Sequence, residues 1–152
     1  MVSSLSHLTV DARDAYAQSV WWSQVLGYAE DPEDPNEPGH EECMISSADG
    51  ANRLLFIEVP EAKQVKNRLH LDLRPADGSR DEELARLLGL GATAVDDRRL
   101  PDGRGWVVLA DPEGNEFCIL RSQGELDAAS VSQDVLAAGR SGGDSPVNTN
   151  LR

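Results

Sequence analysis

The sequence predicts an α+β fold in which a βαβββ module occurs twice. Segments of alternating apolar and polar residues predict strands, and two stretches with helix-start signals predict helices, in the same order in each half. Three landmarks recur at an offset of 63 residues: a histidine, an aspartate seven residues later, and an asparagine 45 residues after the histidine. Such a constant offset indicates an internal repeat. The pairs are His7 and His70, Asp14 and Asp77, and Asn52 and Asn115.

The first module opens with an alternating segment, residues 5–12, which predicts a half-buried strand. Asp14 is suited to cap the N-terminus of a helix that runs to about Val25 and closes at Gly27. The stretch 30–42 is rich in proline and acidic residues, so it predicts a loop. Two further strands are predicted at about 43–47 and 53–59, joined by an Asp49-Gly50 turn.

The second module repeats this order after a loop at 60–68. Residues 69–74 alternate strictly and predict a strand whose leucines face the core. Ser79 and Glu82 form a capping-box pair for a helix that runs to about Leu88. Three more strands are predicted at about 93–97, 105–110 and 116–121.

Residues 1–122 are therefore expected to form one domain, with modules at about 5–59 and 69–122. The tail at 123–152 lacks aromatic residues and is rich in serine, glycine and alanine. We expect one short helix at about 126–138 and disorder from Gly139 onward.

The charge balance excludes several kinds of partner. Acidic residues outnumber basic ones 27 to 14, and the formal net charge of −13 opposes binding to nucleic acid or to an anionic membrane surface. No apolar run is long enough to span a membrane, and the N-terminus lacks the features of a signal peptide. Two cysteines, Cys43 and Cys118, do not make a disulfide framework. These features favour a cytoplasmic protein.

Three segments carry a resemblance to a known superfamily. They are the first helix with Trp21-Trp22 and its Leu-Gly-Tyr ending, the Lys-Asn-Arg-Leu-His-Leu-Asp-Leu stretch at 66–73, and the Asp-Pro-Glu-Gly-Asn-Glu-Phe-Cys stretch at 111–118. With the two first-strand histidines, they resemble the vicinal oxygen chelate superfamily of glyoxalases, bleomycin-resistance proteins and dioxygenases, and within it actinobacterial glyoxalase-like proteins. The resemblance covers roughly residues 5–122. It implies a cupped mixed sheet around a small-molecule cavity, and a homodimer.

The resemblance also implies positions for metal ligands, which this sequence fills only in part. His7 and His70 match the two first-strand positions. Cys118 stands where the last strand normally carries a glutamate, and Glu116 lies two residues earlier on the same face. A cysteine there is also typical of a small buried apolar residue.

The fourth ligand position is held by a residue that cannot bind a metal. Aligning Phe56 with Phe117 places Ile57 there; Glu58, beside it on the opposite face, is a further candidate ligand if a bulge turns it. Two histidines with a thiol suit Zn²⁺, whereas two histidines with a carboxylate suit Fe²⁺ or Mn²⁺, and Ni²⁺ is a further candidate. The incomplete set favours a cup whose histidines hydrogen-bond a ligand without a metal.

Aromatic and basic residues supply further candidates. Trp106, on a predicted strand, suits either stacking on a planar ligand or a place in the core. Lys66 and Arg68 suit either an anionic substrate group or the linker between the modules. Because Trp21 and Trp22 are adjacent on a helix, we expect one to face the core and the other a dimer contact.

The sequence leaves three functions open. One is a lyase, isomerase or dioxygenase whose metal, held by His7, His70 and Glu116 or Cys118, polarises adjacent oxygens of a small substrate. Another is a non-catalytic protein that binds a small aromatic or cationic molecule, as antibiotic-binding members do. The third is an interaction module with an empty cup. We expect a glyoxalase-like protein that binds or acts on a small organic molecule beside an incomplete metal site.

Overall fold

Two mixed sheets and three helices make up residues 2–140, the part of the chain that this computed structural model describes. The first module contains β1 (Leu8–Ala12), α1 (Ala15–Leu26), β2 (Glu42–Ser46) and β3 (Arg53–Glu58). The second contains β4 (Asp72–Leu73), α2 (Arg80–Gly89), β5 (Thr93–Asp97), β6 (Val107–Ala110) and β7 (Glu116–Ile119), and the chain continues in α3 (Gln123–Arg140). No helix among the described residues is long and apolar enough to cross a membrane.

The two sheets share one topology, which confirms the predicted α+β fold and its repeat. The first has the order β1-β3-β2 with β1 parallel to β3, and the second has the order β4-β7-β6-β5 with β4 parallel to β7. The strand that would match β5 in the first module is reduced to an isolated bridge between Ala29 and Ser46. The proline-rich loop 30–42 follows this bridge directly, and proline cannot donate to a strand ladder.

Local capping signals set the helix starts at the predicted residues. The carboxylate of Asp14 accepts a hydrogen bond from the amide of Ala17 at 2.8 Å, and Gly27 ends α1 with a φ of 67°. At α2 both capping-box bonds between Ser79 and Glu82 are present. The predicted caps of both helices are confirmed.

The predicted strand at 69–74 is much shorter in the structure. Only Asp72 and Leu73 pair with β7, and Pro75, which cannot donate to a ladder, limits the strand on its C-terminal side. Leu69, expected on the core side, is 83% exposed. The alternating pattern therefore continues beyond the residues that are actually paired.

The prediction that Trp21 and Trp22 cannot both face the core is wrong. They are 8% and 4% exposed, and both rings meet Phe117 edge-on, with centroid distances of 5.9 and 5.2 Å. The indole of Trp21 donates to the carbonyl of Leu90 at 2.9 Å, and that of Trp22 donates to the carboxylate of Asp111 at 3.1 Å. Helix α1 lies between its own sheet and the second module, so neighbouring side chains are buried on two sides.

Both ends of α1 are also tied to the second module. The carboxylate of Glu113 accepts from the backbone amides of Arg13 and Asp14 at 2.8 to 3.0 Å. At the other end, the guanidinium of Arg86 in α2 donates to the carbonyl of Val25 at 3.1 Å. An anion at a helix start and a cation at a helix end both complement the helix dipole.

The tail begins as a helix that is attached to the domain. The predicted helix at 126–138 lies within α3, which begins three residues earlier and ends two residues later. The carboxylate of Glu125 accepts from the amides of Ser122 and Arg80 at 2.8 Å each, which joins α3 to the start of α2. Gly139, where disorder was expected to begin, is helical, and residues 141–152 lie outside the described part of the chain.

Candidate functional site

A cleft of about 560 Å³ lies between strand β1 and the segment that leads into β4. Because β1 and β4 are edge strands of different sheets, the cleft separates the two modules. Its size is in the range of small-molecule sites. Apolar side chains from both modules line it, namely Leu8, Val10, Trp22, Leu54, Leu69, Leu71 and Phe117. Ionisable side chains also line it, namely Asp11, Arg68, His70, Asp111 and Glu116.

A smaller cleft of about 260 Å³ lies beside the first and contains His7. Leu8, Leu54 and Leu71 line both clefts, so these leucines stand between them. His7 is half-buried, and its Nδ1 lies 3.1 Å from the hydroxyl of Ser6. The structure therefore places His7 and His70 in adjacent clefts.

The strand registers explain why the two histidines do not converge. Asp11 lies opposite Ile57 in the first sheet, and Asp72 lies opposite Cys118 in the second. A position in the first module therefore corresponds in space to the position 61 residues later in the second. The histidines differ by 63 residues. His7 consequently lies two residues before the position that corresponds to His70, a displacement of about 7 Å along the strand.

Three potential metal ligands converge where β4 pairs with β7 in the second module. The Nε2 or Nδ1 of His70, a carboxylate oxygen of Asp72 and the Sγ of Cys118 lie within 4.8 Å of one another. The Nε2 of His70 is 3.5 Å from Oδ1 of Asp72. Burial, and secondarily the adjacent Asp72 carboxylate, raise the pKa of the Cys118 thiol to about 11. The thiol is therefore protonated at neutral pH.

Sequence reasoning missed Asp72 as a site residue. It lies two residues after His70 and shares the polar face of the predicted strand. The signal that could have found it is the parallel pairing of the first and last strands of the module, which sets Asp72 opposite Cys118.

Glu116 lines the cleft but does not belong to this cluster, and its carboxylate forms an ion pair with Lys66. Lys66 holds the pKa of that carboxyl below its usual range. The amide of Glu116 donates to the side-chain carbonyl of Asn67 at 3.0 Å. These bonds fix Glu116 on the wall of the cleft as a compensated negative charge.

Two other predicted candidates lie elsewhere. Trp106 precedes β6, is exposed, and lines neither cleft, while its carbonyl accepts from the amide of Arg98 at 2.9 Å. Glu58 ends β3 in an exposed position and does not belong to the cluster of His70.

The sequence pattern of the glyoxalase-like domain matches residues 7–120, which is most of the chain. The chain belongs to this glyoxalase-like family. The predicted membership of the vicinal oxygen chelate superfamily is thereby confirmed, whereas the narrower likeness to actinobacterial members stays a prediction. Among curated proteins, none matches this glyoxalase-like sequence.

Solved structures of the same fold support the assignment. A mutant of the fosfomycin resistance protein FosX from Listeria monocytogenes, complexed with Mn(II) and 1S,2S-dihydroxypropylphosphonic acid, is 19% identical over 81% of this chain and 93% of its own, with a TM-score of 0.60. A glyoxalase/bleomycin resistance protein/dioxygenase family enzyme from Burkholderia phytofirmans is 21% identical over 77% of this chain and 97% of its own, with a TM-score of 0.57. FosX from Mesorhizobium loti is 18% identical over 84% and 99%, also at 0.57. At these identities the likeness establishes the fold of the glyoxalase-like chain.

Proposed function

We propose that this glyoxalase-like protein binds a small organic molecule in the cleft between its modules, beside a divalent metal ion held by His70, Asp72 and Cys118. The observation that carries the proposal is that His70 belongs to both the cleft and the three-donor cluster. The FosX structure from Listeria monocytogenes supports it, because that relative of the same fold contains Mn(II) together with a small organic acid.

The donor set fits a metal softer than manganese. Nitrogen, oxygen and thiolate donors suit Zn²⁺, whereas Mn²⁺ prefers carboxylate and other oxygen donors. Three protein ligands leave a fourth position for a water or a ligand atom, as in zinc sites that act on substrates. A bound zinc ion would act as a Lewis acid on a ligand oxygen. We therefore propose Zn²⁺ over the Mn²⁺, Fe²⁺ and Ni²⁺ alternatives.

The protein's own residues would prepare the site in two ways. Cys118 must lose its proton to bind the metal, so zinc affinity should rise with pH towards the raised pKa of its thiol. Apolar side chains from both modules line the cleft next to His70, and they would contact the apolar part of a bound ligand.

Elemental analysis and calorimetric titration with Zn²⁺, Mn²⁺, Fe²⁺ and Ni²⁺ test the metal assignment. We expect about one zinc ion per chain, with tighter binding of zinc than of manganese. Binding should be lost in His70→Ala, Asp72→Asn and Cys118→Ser. His7→Ala is the matched control and should keep the metal. Loss of zinc in His7→Ala would instead support the ligand set predicted from the superfamily, and no binding in the unmodified protein would refute the metal proposal.

We also propose that the protein forms a homodimer in the cytoplasm. Leu5 and Leu69, both largely exposed beside the clefts, leave apolar surface for a second copy. The free thiols of Cys43 and Cys118 suit a reducing compartment. Sedimentation velocity tests the dimer, since a monomeric mass at micromolar concentration would refute it, and cell fractionation tests the location.

A further inference from the structure

The charged groups on the cleft wall are not equally compensated. The buried carboxylate of Asp111 accepts four hydrogen bonds, from the indole of Trp22, from two backbone amides and from the side chain of Asn115. Glu116 is paired with Lys66. Hydrogen bonds thus stabilise the carboxylate of Asp111, and an ion pair compensates the charge of Glu116.

Arg68 is different, because its guanidinium has no hydrogen-bond or ion-pair partner among the described residues. It is also the only permanently positive side chain among the residues that line this cleft. The chain carries 27 acidic residues against 14 basic ones, so acidic partners for an arginine are abundant. Lys66, two residues earlier, has such a partner in Glu116. Of the two residues that the sequence suggested for anion binding, Lys66 is already paired with a carboxylate, whereas the guanidinium of Arg68 is free to bind one.

We propose that Arg68 binds a carboxylate of the cleft ligand, whose apolar body lies against the leucine and aromatic wall of the same cleft. This proposal rests on the proposed function and names the chemical class of its ligand: a small carboxylic acid with an aliphatic or aromatic body. A guanidinium suits this role because its planar N–H groups can bind both oxygens of a carboxylate. The apolar residues that line the cleft from both β1 and the segment before β4 supply the surface for the body.

The test compares acids with their uncharged amides, which share one body. The probes are hydrocinnamate with hydrocinnamamide and isocaproate with isocaproamide, and phenethylamine reports on cations. Binding to the full chain is followed by calorimetry and by NMR shifts of the cleft amides. Each acid should bind about tenfold more tightly than its amide, the loss expected for one charge-assisted contact. Rising salt should narrow the difference.

Matched variants assign the preference to one side chain. Arg68→Gln should bind acid and amide alike, while Arg68→Lys should retain part of the preference. Arg13→Gln removes the same charge from an exposed guanidinium outside the cleft and should behave as the unmodified protein. Circular dichroism checks that each variant is folded.

The outcomes separate this inference from the proposed function. If acids and amides bind equally to the unmodified protein, or if Arg68→Gln keeps the preference, the role of Arg68 is refuted while small-molecule binding stands. Tighter binding of phenethylamine would also refute it and would point to Asp11, the exposed acid on the β1 side. If no probe of any pair binds, the proposed function fails together with this inference.

Discussion

Replacing Asp111 with asparagine tests how α1 is held against the second module. Asp111 is 2% exposed, and its Oδ2 accepts from Nε1 of Trp22 at 3.1 Å and from Nδ2 of Asn115 at 3.2 Å. Its Oδ1 accepts from the amides of Glu113 and Asn115 at 3.0 and 2.8 Å. Asparagine has the same shape and can keep the second pair of bonds. Its amide group, however, would take the place of Oδ2 and set N–H donors against the N–H donors of Trp22 and Asn115.

The expected loss follows from the burial of these groups. The indole of Trp22 is buried and cannot recruit water, so its unpaired N–H adds a desolvation penalty to the loss of a charge-assisted bond. The side chain of Asn115 is only partly buried and can turn to solvent. We expect Asp111→Asn to lower the free energy of unfolding by about 3 kcal/mol.

Urea unfolding followed by circular dichroism measures this loss, with Trp22→Phe and the double variant completing a cycle. Phenylalanine removes the indole donor, so the two single changes should show a coupling of about 1 to 2 kcal/mol. A loss under about 1 kcal/mol in Asp111→Asn, or additive effects in the cycle, would show that this hydrogen bond does not hold α1 in place.

Three further predictions concern the core, a tight turn and a thiol. Leu87→Ala, at a fully buried position, should cost about 2 to 5 kcal/mol in urea unfolding, whereas Leu88→Ala on the exposed side should cost under about 1 kcal/mol. Gly105→Ala should strongly reduce the yield of folded protein, because at its φ of 90° an added Cβ would lie 2.0 Å from a backbone carbonyl oxygen. Gly103 has a similar φ of 80° but open space around it. Gly103→Ala should therefore lower the free energy of unfolding only by the backbone strain, about 1 to 2 kcal/mol. The pKa of the Cys118 thiol is raised to about 11 in the folded protein, so this thiol ionises at lower pH in the unfolded chain. The free energy of unfolding should therefore fall as pH rises from 9 to 11. Urea unfolding of Cys118→Ser should not show this fall, and an equal fall in the variant would contradict the role of Cys118.

Local signals explain why most elements could be predicted from the sequence. A capping side chain acts within its own turn, so Asp14 and Ser79 mark the helix starts without reference to the rest of the fold. The order of strands and helices along each module follows from their alternating patterns in the same way.

The errors arise where distant segments decide the outcome. The length of β4 depends on how far the chain pairs with the distant strand β7, and the burial of both Trp21 and Trp22 depends on a second module packed against α1. The convergence of Asp72 on Cys118 depends on a register that no local pattern encodes. The two histidines are 63 residues apart in the sequence, but equivalent strand positions are 61 residues apart, so the histidines lie at different positions along their strands.

Helix α1 belongs to the first module in the chain, yet its indoles and both of its ends are bound to the second. A fragment that stops at Val59 would therefore expose two tryptophans and leave the N-terminus of α1 without its distant carboxylate cap. Although the sequence is a repeat, we expect the two halves to unfold in one cooperative transition instead of melting separately. The two walls of the cleft would then move as one body, so that ligand binding would stabilise the whole domain rather than one half of it.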